Sequence, residues 1–149
     1  MESKMENRVY IKFPAIPENE RLARMITAAF LADFNPTVEE IDDVKTAVSE
    51  AVTNCIIHAY KKEERMHKEV EMICKRENQQ LTISVIDSGR GIADIKQAME
   101  PMFTTESIAE HSGMGFSFME AFMDEVEVIS SSSEGTKVVM KKRMGRQEE

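Results

Sequence analysis

The chain has little cysteine, no long hydrophobic run and no excess of positive charge, and each shortage removes a class of protein. Only two cysteines occur in 149 residues. Cys55 and Cys74 sit inside apolar periodic stretches, with no Cys-x-x-Cys spacing and no histidine cluster, so they read as buried thiols and not as a zinc site. Apolar runs are short and broken by charge, and the first ten residues carry Glu2, Lys4, Glu6 and Arg8. That pattern excludes a membrane span and a signal peptide, and predicts a soluble, cytoplasmic chain. Lys and Arg number 19 against 27 Asp and Glu, a net charge of −8. Such a chain gains little by neutralising phosphates, which argues against nucleic acid as a direct partner and requires any bound phosphate to be held locally. The one basic cluster, Lys141, Lys142, Arg143 and Arg146, reads as a solvated C-terminal tail. Repeats and low-complexity segments are lacking too. What is present is a 42% hydrophobic share, enough for one domain over 1–149 with a core at about 8–142 and flexible termini.

Alternation of Val9, Ile11 and Phe13 with Tyr10 and Lys12 predicts a strand at 8–14. After Pro17, Asn19 is a candidate cap for a helix with Leu22, Met25, Ile26, Ala29 and Phe30 at helical spacing, stopped by Asn35-Pro36. Arg21 and Arg24 lie on this helix, where arginines are ordinarily solvated. Thr37-Val-Glu-Glu40 is a capping box that opens the longest helix, about 38–60. Alternating runs at 69–75 and 81–87, separated by the polar 76–80, predict an antiparallel hairpin. Gly89 and Gly91 interrupt the pattern before a short helix at 92–99 and a polar loop at 101–112. A helix from 113–115 to about 123 and strands at 126–130 and 136–141, turned by Glu134-Gly135, complete the order. This succession predicts an α+β fold, with helices stacked on one face of a mainly antiparallel sheet.

Three places carry residues that core-building alone does not require. In the long helix, Val38, Ile41, Val44, Val48, Val52, Cys55 and Ala59 form the apolar stripe, and Glu50 and Asn54 point away from it, four residues apart on neighbouring turns. Asn is a weak helix former deep inside a helix. Alone, the pair is also what a solvated helix face carries; with a second element, the amide oxygen suits Mg²⁺ and the carboxylate suits a general base. That second element is Asp87-Ser-Gly-Arg-Gly91 at a strand end. An ionised Asp accepts hydrogen bonds from an amino group such as that of adenine, and glycines admit a flat ring close to the backbone, although the same residues make an ordinary turn. The third is Ser112-Gly-Met-Gly115, opening a helix whose free N–H groups suit a phosphate, or a plain Ser cap with flexible glycines. It is neither a dinucleotide fingerprint nor a P-loop. Thr136, after Glu134-Gly135, stands where its hydroxyl can reach the same base as Asp87.

Taken together, Glu50-Ala-Val-Thr-Asn54 with His58-Ala-Tyr60, Asp87-Ser-Gly-Arg-Gly91, Gly113-Met-Gly115 and Gly135-Thr136 resemble, in order, the ATP-binding boxes of the GHKL superfamily of gyrase, Hsp90, histidine kinases and MutL. The segments from Lys45 to Asn54, Pro101 to Thr105 and Ser112 to Val126 are similar to the bacterial anti-sigma factor kinases, nearer their sporulation branch than their sigma-B, stress-response branch. The resemblance implies a two-layer α/β sandwich of Bergerat type with a mainly antiparallel, mixed sheet. It implies ATP/ADP and Mg²⁺ as ligands, a sporulation sigma factor of sigma-F type held inactive by a homodimer, and phosphorylation of a serine on an anti-anti-sigma protein. Residue by residue, it implies Asn54 as Mg²⁺ ligand, Asp87 as adenine acceptor, and Gly89 and Gly91 in the adenine pocket. Glu50 becomes the candidate general base. Ser112, Gly113, Gly115 and Phe116 fall to the phosphates, Thr104 and Thr105 to a short mobile lid, and Thr136 to the base. His58 reads as a hydrogen-bonded structural residue. Two further readings stay open beside the kinase: a sigma-B-type relative, and a nucleotide-gated sigma-binding module that transfers no phosphate. A passive module needs Asn54 and Asp87 but no proton acceptor at Glu50.

Overall fold

A computed structural model describes residues 5–60, 62–89, 115–131 and 135–145. Strand β1 (Glu6–Pro14) leads to helices α1 (Glu18–Leu31) and α2 (Val38–Asn54), and α2 continues into one turn of π-helix, Cys55–Ala59. A 3-10 turn, Lys62–His67, precedes the hairpin β2 (Glu69–Glu77) and β3 (Gln80–Asp87). Helix α3 (Gly115–Phe122) and strands β4 (Glu125–Ser131) and β5 (Gly135–Arg143) complete the described elements. The sheet order is β1-β2-β3-β5-β4, and each described neighbour pair is antiparallel. The α+β class is the one the element order predicts. The expected short helix at 92–99 and loop at 101–112 lie outside the described residues.

Period-two alternation gives the sheet one buried face. Val70, Met72 and Cys74 on β2 stand in register with Asp87, Val85 and Ile83 on β3, and Val85 and Ile83 with Val138 and Met140 on β5. All eight are buried. The helices cover this face, with Ala23, Thr27 and Leu31 of α1, Val44, Ala47, Val48, Ala51 and Val52 of α2, and Gly115, Phe116 and Met119 of α3 turned inward. Each fully buried large side chain, such as Met72, Leu81 or Ile83, contributes roughly 1.5–3 kcal/mol relative to exposure. The sheet's other face carries Tyr10, Lys12, Lys75 and Ile129, all exposed.

Several boundaries differ from the sequence prediction for identifiable reasons. Asn19 does not cap α1. The N-cap is Pro17, and the Asn19 side chain instead donates to the Pro14 carbonyl at 2.9 Å, tying the helix start to the end of β1. The capping box of α2 is present, Glu40 N to Thr37 Oγ1 at 3.0 Å and Thr37 N to Glu40 Oε1 at 2.9 Å. Val38 leaves the predicted apolar stripe, 76% exposed in the first turn ahead of the core contact. Asn35, with φ 56°, takes the left-handed conformation just before Pro36, where the sequence places the stop.

The hairpin pairs two residues further than predicted on β2, to Glu77, and one further on β3, to Gln80, with Asn78 at φ 57°. The sequence assigns Arg76 to a polar loop, yet it faces the core. Its guanidinium donates to the Asn78 carbonyl at 2.7 Å, the Asp33 carbonyl at 2.9 Å and Gln79 Oε1 at 3.0 Å, and lies 4.2 Å over the Phe34 ring. The predicted solvated tail is another correction. Lys141, Lys142 and Arg143 belong to β5, Lys142 donates to the Phe122 carbonyl at 2.8 Å, and Met144 beyond them is fully buried.

Candidate functional site

Strand β3 ends on Asp87, in register with Val70 of β2 and Thr136 of β5, and the carboxylate is only 5% exposed. Backbone N–H groups of Gly89 and Thr136 donate to Oδ1 at 2.9 and 3.3 Å. Burial pushes the Asp87 carboxyl above its ordinary value, and the Gly89 amide, the Cys55 thiol and the Thr136 amide pull it part of the way back. Both backbone bonds fall on Oδ1, so Oδ2 takes neither. A buried carboxylate with one oxygen fixed by main-chain donors is an acceptor for an amino group delivered from outside.

The turn after Asp87 is held by close backbone approach. A Cβ on Gly89 would come within 2.7 Å of Ala59 at the end of the π turn. One on Gly135 would come within 2.7 Å of the Ser88 Cα, and Gly135 already sits at φ +91°. Glycine is therefore required at both positions, for space at the first and for space and backbone conformation at the second. The Tyr60 hydroxyl accepts from Ser88 N at 2.8 Å and donates to the Glu69 carbonyl at 2.8 Å, joining this turn to the start of β2.

Helix α2 supplies the polar pair. Glu50 and Asn54 are both half-buried, Asn54 being the last residue before the helix widens. Burial raises the Glu50 carboxyl, and the negative charge of Glu20 on α1 raises it further. Glu20 itself holds Arg24 in an ion pair at 2.6 Å, so Arg24 is not simply solvated. A polar groove of about 440 Å³ between α1 and α2, lined by Arg24, Asp42, Lys45, Thr46 and Ser49, contains none of the predicted site residues.

Thr136 is where the sequence predicts it, buried beside Asp87, with its hydroxyl 2.8 Å from that of Ser130. Gly115 opens α3 among the described residues, and the Phe116 ring is packed in the core, so only its backbone faces outward chemistry. Gly91, Thr104, Thr105, Ser112 and Gly113 lie outside the described residues. His58 is half-buried within the π turn. Among the described residues no group of three or more His, Cys, Asp or Glu gathers to hold a metal. Asn54 offers one hard oxygen, which fits a divalent ion that takes its remaining ligands from phosphates. Sequence reasoning overlooked Cys55 and Tyr60 as parts of this site, because a thiol and a phenol at core spacing look like packing; the signal was their position immediately after Asn54 and His58-Ala.

This architecture, helices on one face of an antiparallel sheet, is that of the histidine kinase-like ATPase domain. The description of that family matches residues 13–142, and the chain belongs to it. Within it, similar proteins are anti-sigma F factors. That of Clostridium acetobutylicum is 50% identical over 139 residues, covering 93% of this chain and 95% of its relative. That of Clostridium beijerinckii is 51% identical with the same coverage, and that of Caldanaerobacter subterraneus subsp. tengcongensis is 49% identical, covering 94% and 96%. Among solved structures, the RsbU and RsbW domains of Rv1364c from Mycobacterium tuberculosis superpose with a TM-score of 0.69 at 20% identity, over 95% of this chain and 33% of that one. The catalytic domain of the histidine kinase ThkA superposes with a TM-score of 0.56 at 14% identity, over 91% and 96%. At these identities the likeness is one of fold. No helix among the described residues is long and apolar enough to cross a membrane.

Proposed function

We propose that this chain is an anti-sigma factor that binds a sporulation sigma factor of sigma-F type and uses ATP to phosphorylate a serine on its anti-anti-sigma antagonist, acting in the cytoplasm where transcription takes place. The observation that carries the nucleotide part is Asp87, a carboxylate 5% exposed whose Oδ1 is fixed by Gly89 and Thr136. Burial of such a group is costly unless a ligand uses it. The adenine amino group is the donor it suits, with Gly89 and Gly91 admitting the ring and Thr136 beside it.

For transfer, Asn54 is the residue that would hold Mg²⁺, whose chemistry here is to offset charge on the phosphates. The resemblance assigns Ser112, Gly113, Gly115 and Phe116 to the phosphates and Thr104 and Thr105 to a lid, and of these Gly115 and Phe116 are the described residues, in the first turn of α3. Glu50 then orients the incoming serine hydroxyl and accepts its proton. Burial and the Glu20 charge raise the Glu50 carboxyl, which favours this role because a carboxylate of higher pKa is the stronger base. The anti-sigma part is supported by relatives of that name at 49–51% identity along nearly the whole chain. Incubating the pure protein with labelled ATP, Mg²⁺ and candidate anti-anti-sigma proteins tests the proposal. Label on an acceptor serine is the expected result, and nucleotide binding without any transfer would reduce the chain to a nucleotide-gated module.

A further inference from the structure

The π turn at Cys55–Ala59 and Tyr60 just after it meet three consecutive residues, Asp87 at the end of β3 and Ser88 and Gly89 beyond it. The Tyr60 hydroxyl accepts from Ser88 N at 2.8 Å, the Ala59 backbone leaves no room for a side chain on Gly89, and the Cys55 thiol draws the Asp87 carboxyl down against the effect of burial. In a regular α-helix residues five apart diverge around the axis, whereas a π turn closes on the fifth residue and returns Cys55 and Tyr60 to one side. Both are nearly sealed from water, at 4% and 3% exposure. Tyr60 also donates to the Glu69 carbonyl at 2.8 Å, so the Asp87 turn is tied to β2 as well as to α2. A packing role would need the phenyl ring and the small apolar volume, but neither the hydroxyl nor the thiol hydrogen.

We infer that Cys55 and Tyr60 are positioning residues that fix the Asp87 turn and keep its carboxylate aimed at the ligand, and so set a preference for a 6-amino purine over a 6-oxo purine. This rests on the reading of Asp87 as the base acceptor. An ionised, immobile carboxylate accepts from a 6-amino group and opposes a 6-oxo group, because two acceptors then face each other without a proton between them. A carboxyl that can rotate or protonate loses that discrimination, since its own O–H can donate to the oxo group. The thiol hydrogen favours the ionised form of Asp87 directly. The phenol acts one residue further along, fixing the Ser88 amide and with it the path of the chain that brings Gly89 N to Oδ1.

The experiment measures ATP and GTP affinity by calorimetry for the full chain and for Tyr60→Phe, Cys55→Val, Cys55→Ser and Asp87→Asn. Tyr60→Phe and Cys55→Val are expected to weaken ATP about tenfold each and to narrow the ATP-over-GTP ratio by a similar factor, while Cys55→Ser, which restores a donor, returns both toward wild type. If Tyr60→Phe and Cys55→Val melt earlier yet keep both the ATP affinity and the ratio, the two residues only fill space and the inference is overturned. A Cys55→Ser chain no better than Cys55→Val overturns the donor role of the thiol. Unchanged ATP affinity in Asp87→Asn overturns the base-acceptor reading and this inference together, and is distinguished from the former outcome because Asp87→Asn is then silent as well.

Discussion

At the scale of single residues, the site couples function to a loss of stability. Burial raises the Asp87 carboxyl, so its folded pKa lies above the unfolded one. Its favourable contribution is then fully present below the unfolded carboxylate range and is lost as pH rises through the folded value. Wherever it is ionised, the buried group opposes folding of the unliganded protein, and on the proposed reading the amino group of a bound base would offset that. Asp87→Asn should therefore weaken ATP by about 1–3 kcal/mol. Without nucleotide, the same variant at pH 7 should melt no earlier than wild type, and the difference should shrink as pH falls toward the folded pKa. Calorimetric titration and melting curves at several pH values check both halves, and an earlier melt at pH 7 together with full ATP affinity removes the assignment. Asn54→Ala is expected to weaken nucleotide more in Mg²⁺ than in EDTA, because the proposed bond is to the metal; equal losses in the two buffers count against it.

Glu50 separates a kinase from a gated binding module. Glu50→Gln keeps the volume and the helix while removing the charge that draws the serine proton, so nucleotide and sigma binding should persist while phosphorylation falls by ~10²-fold or more. Burial and the Glu20 charge raise the Glu50 carboxyl, and a base works only when deprotonated. Transfer by the wild type should thus fall on the acid side at a pH above the ordinary carboxylate range, and the Gln variant should lack that limb. Single-turnover rates across pH, measured beside nucleotide titrations, decide it. A wild-type rate in the variant removes the general-base role, and loss of ATP binding moves Glu50 to the metal or structural shell.

At the scale of elements, the start of α2 is the most local feature. Thr37 and Glu40 exchange two hydrogen bonds at 3.0 and 2.9 Å. Thr37→Ala should cost about 0.5–2 kcal/mol of stability by urea unfolding with an unchanged denaturant slope, leaving nucleotide affinity intact because the cap is at the far end of the helix from Asn54. This box was legible because its signal lies within four residues. The hairpin was legible for the same reason, through alternation, whereas its turn was placed too wide. Arg76 reads as loop in the sequence, and only tertiary partners, the Asp33 carbonyl and the Phe34 ring, make its burial tolerable. The π turn had no such local mark. Cys55 continues the apolar spacing, and the extra residue in the turn shows only through what Cys55 and Tyr60 reach on another strand. Asp87 with its glycines reads alone as an ordinary turn, and only its order with the Glu50–Asn54 and Gly113–Gly115 segments marks it as a candidate site.

At the scale of the whole molecule, two surfaces are left without cover by the described residues. β1 pairs on one side only, at the edge of the sheet, where Tyr10 is 55% exposed. On α1 the apolar positions divide: Ala23, Thr27 and Leu31 are buried, while Leu22 and Met25 are 47% and 60% exposed, three residues apart on one face. Intrachain packing therefore satisfies one side of the helix and leaves the other apolar. An open strand edge beside an apolar helix stripe is the kind of surface that a second copy of the chain covers, and a homodimer follows as the expected state in solution. If Leu22 and Met25 become buried between copies, each contributes roughly 1.5–3 kcal/mol, so replacing both with Glu should weaken the dimer by at least about tenfold while each chain keeps its fold and its nucleotide affinity. Light scattering across micromolar concentrations, with and without nucleotide, reads the outcome. A wild-type monomer throughout that range rules out the dimer, and a double variant that dimerises as well as the wild type moves the interface away from α1.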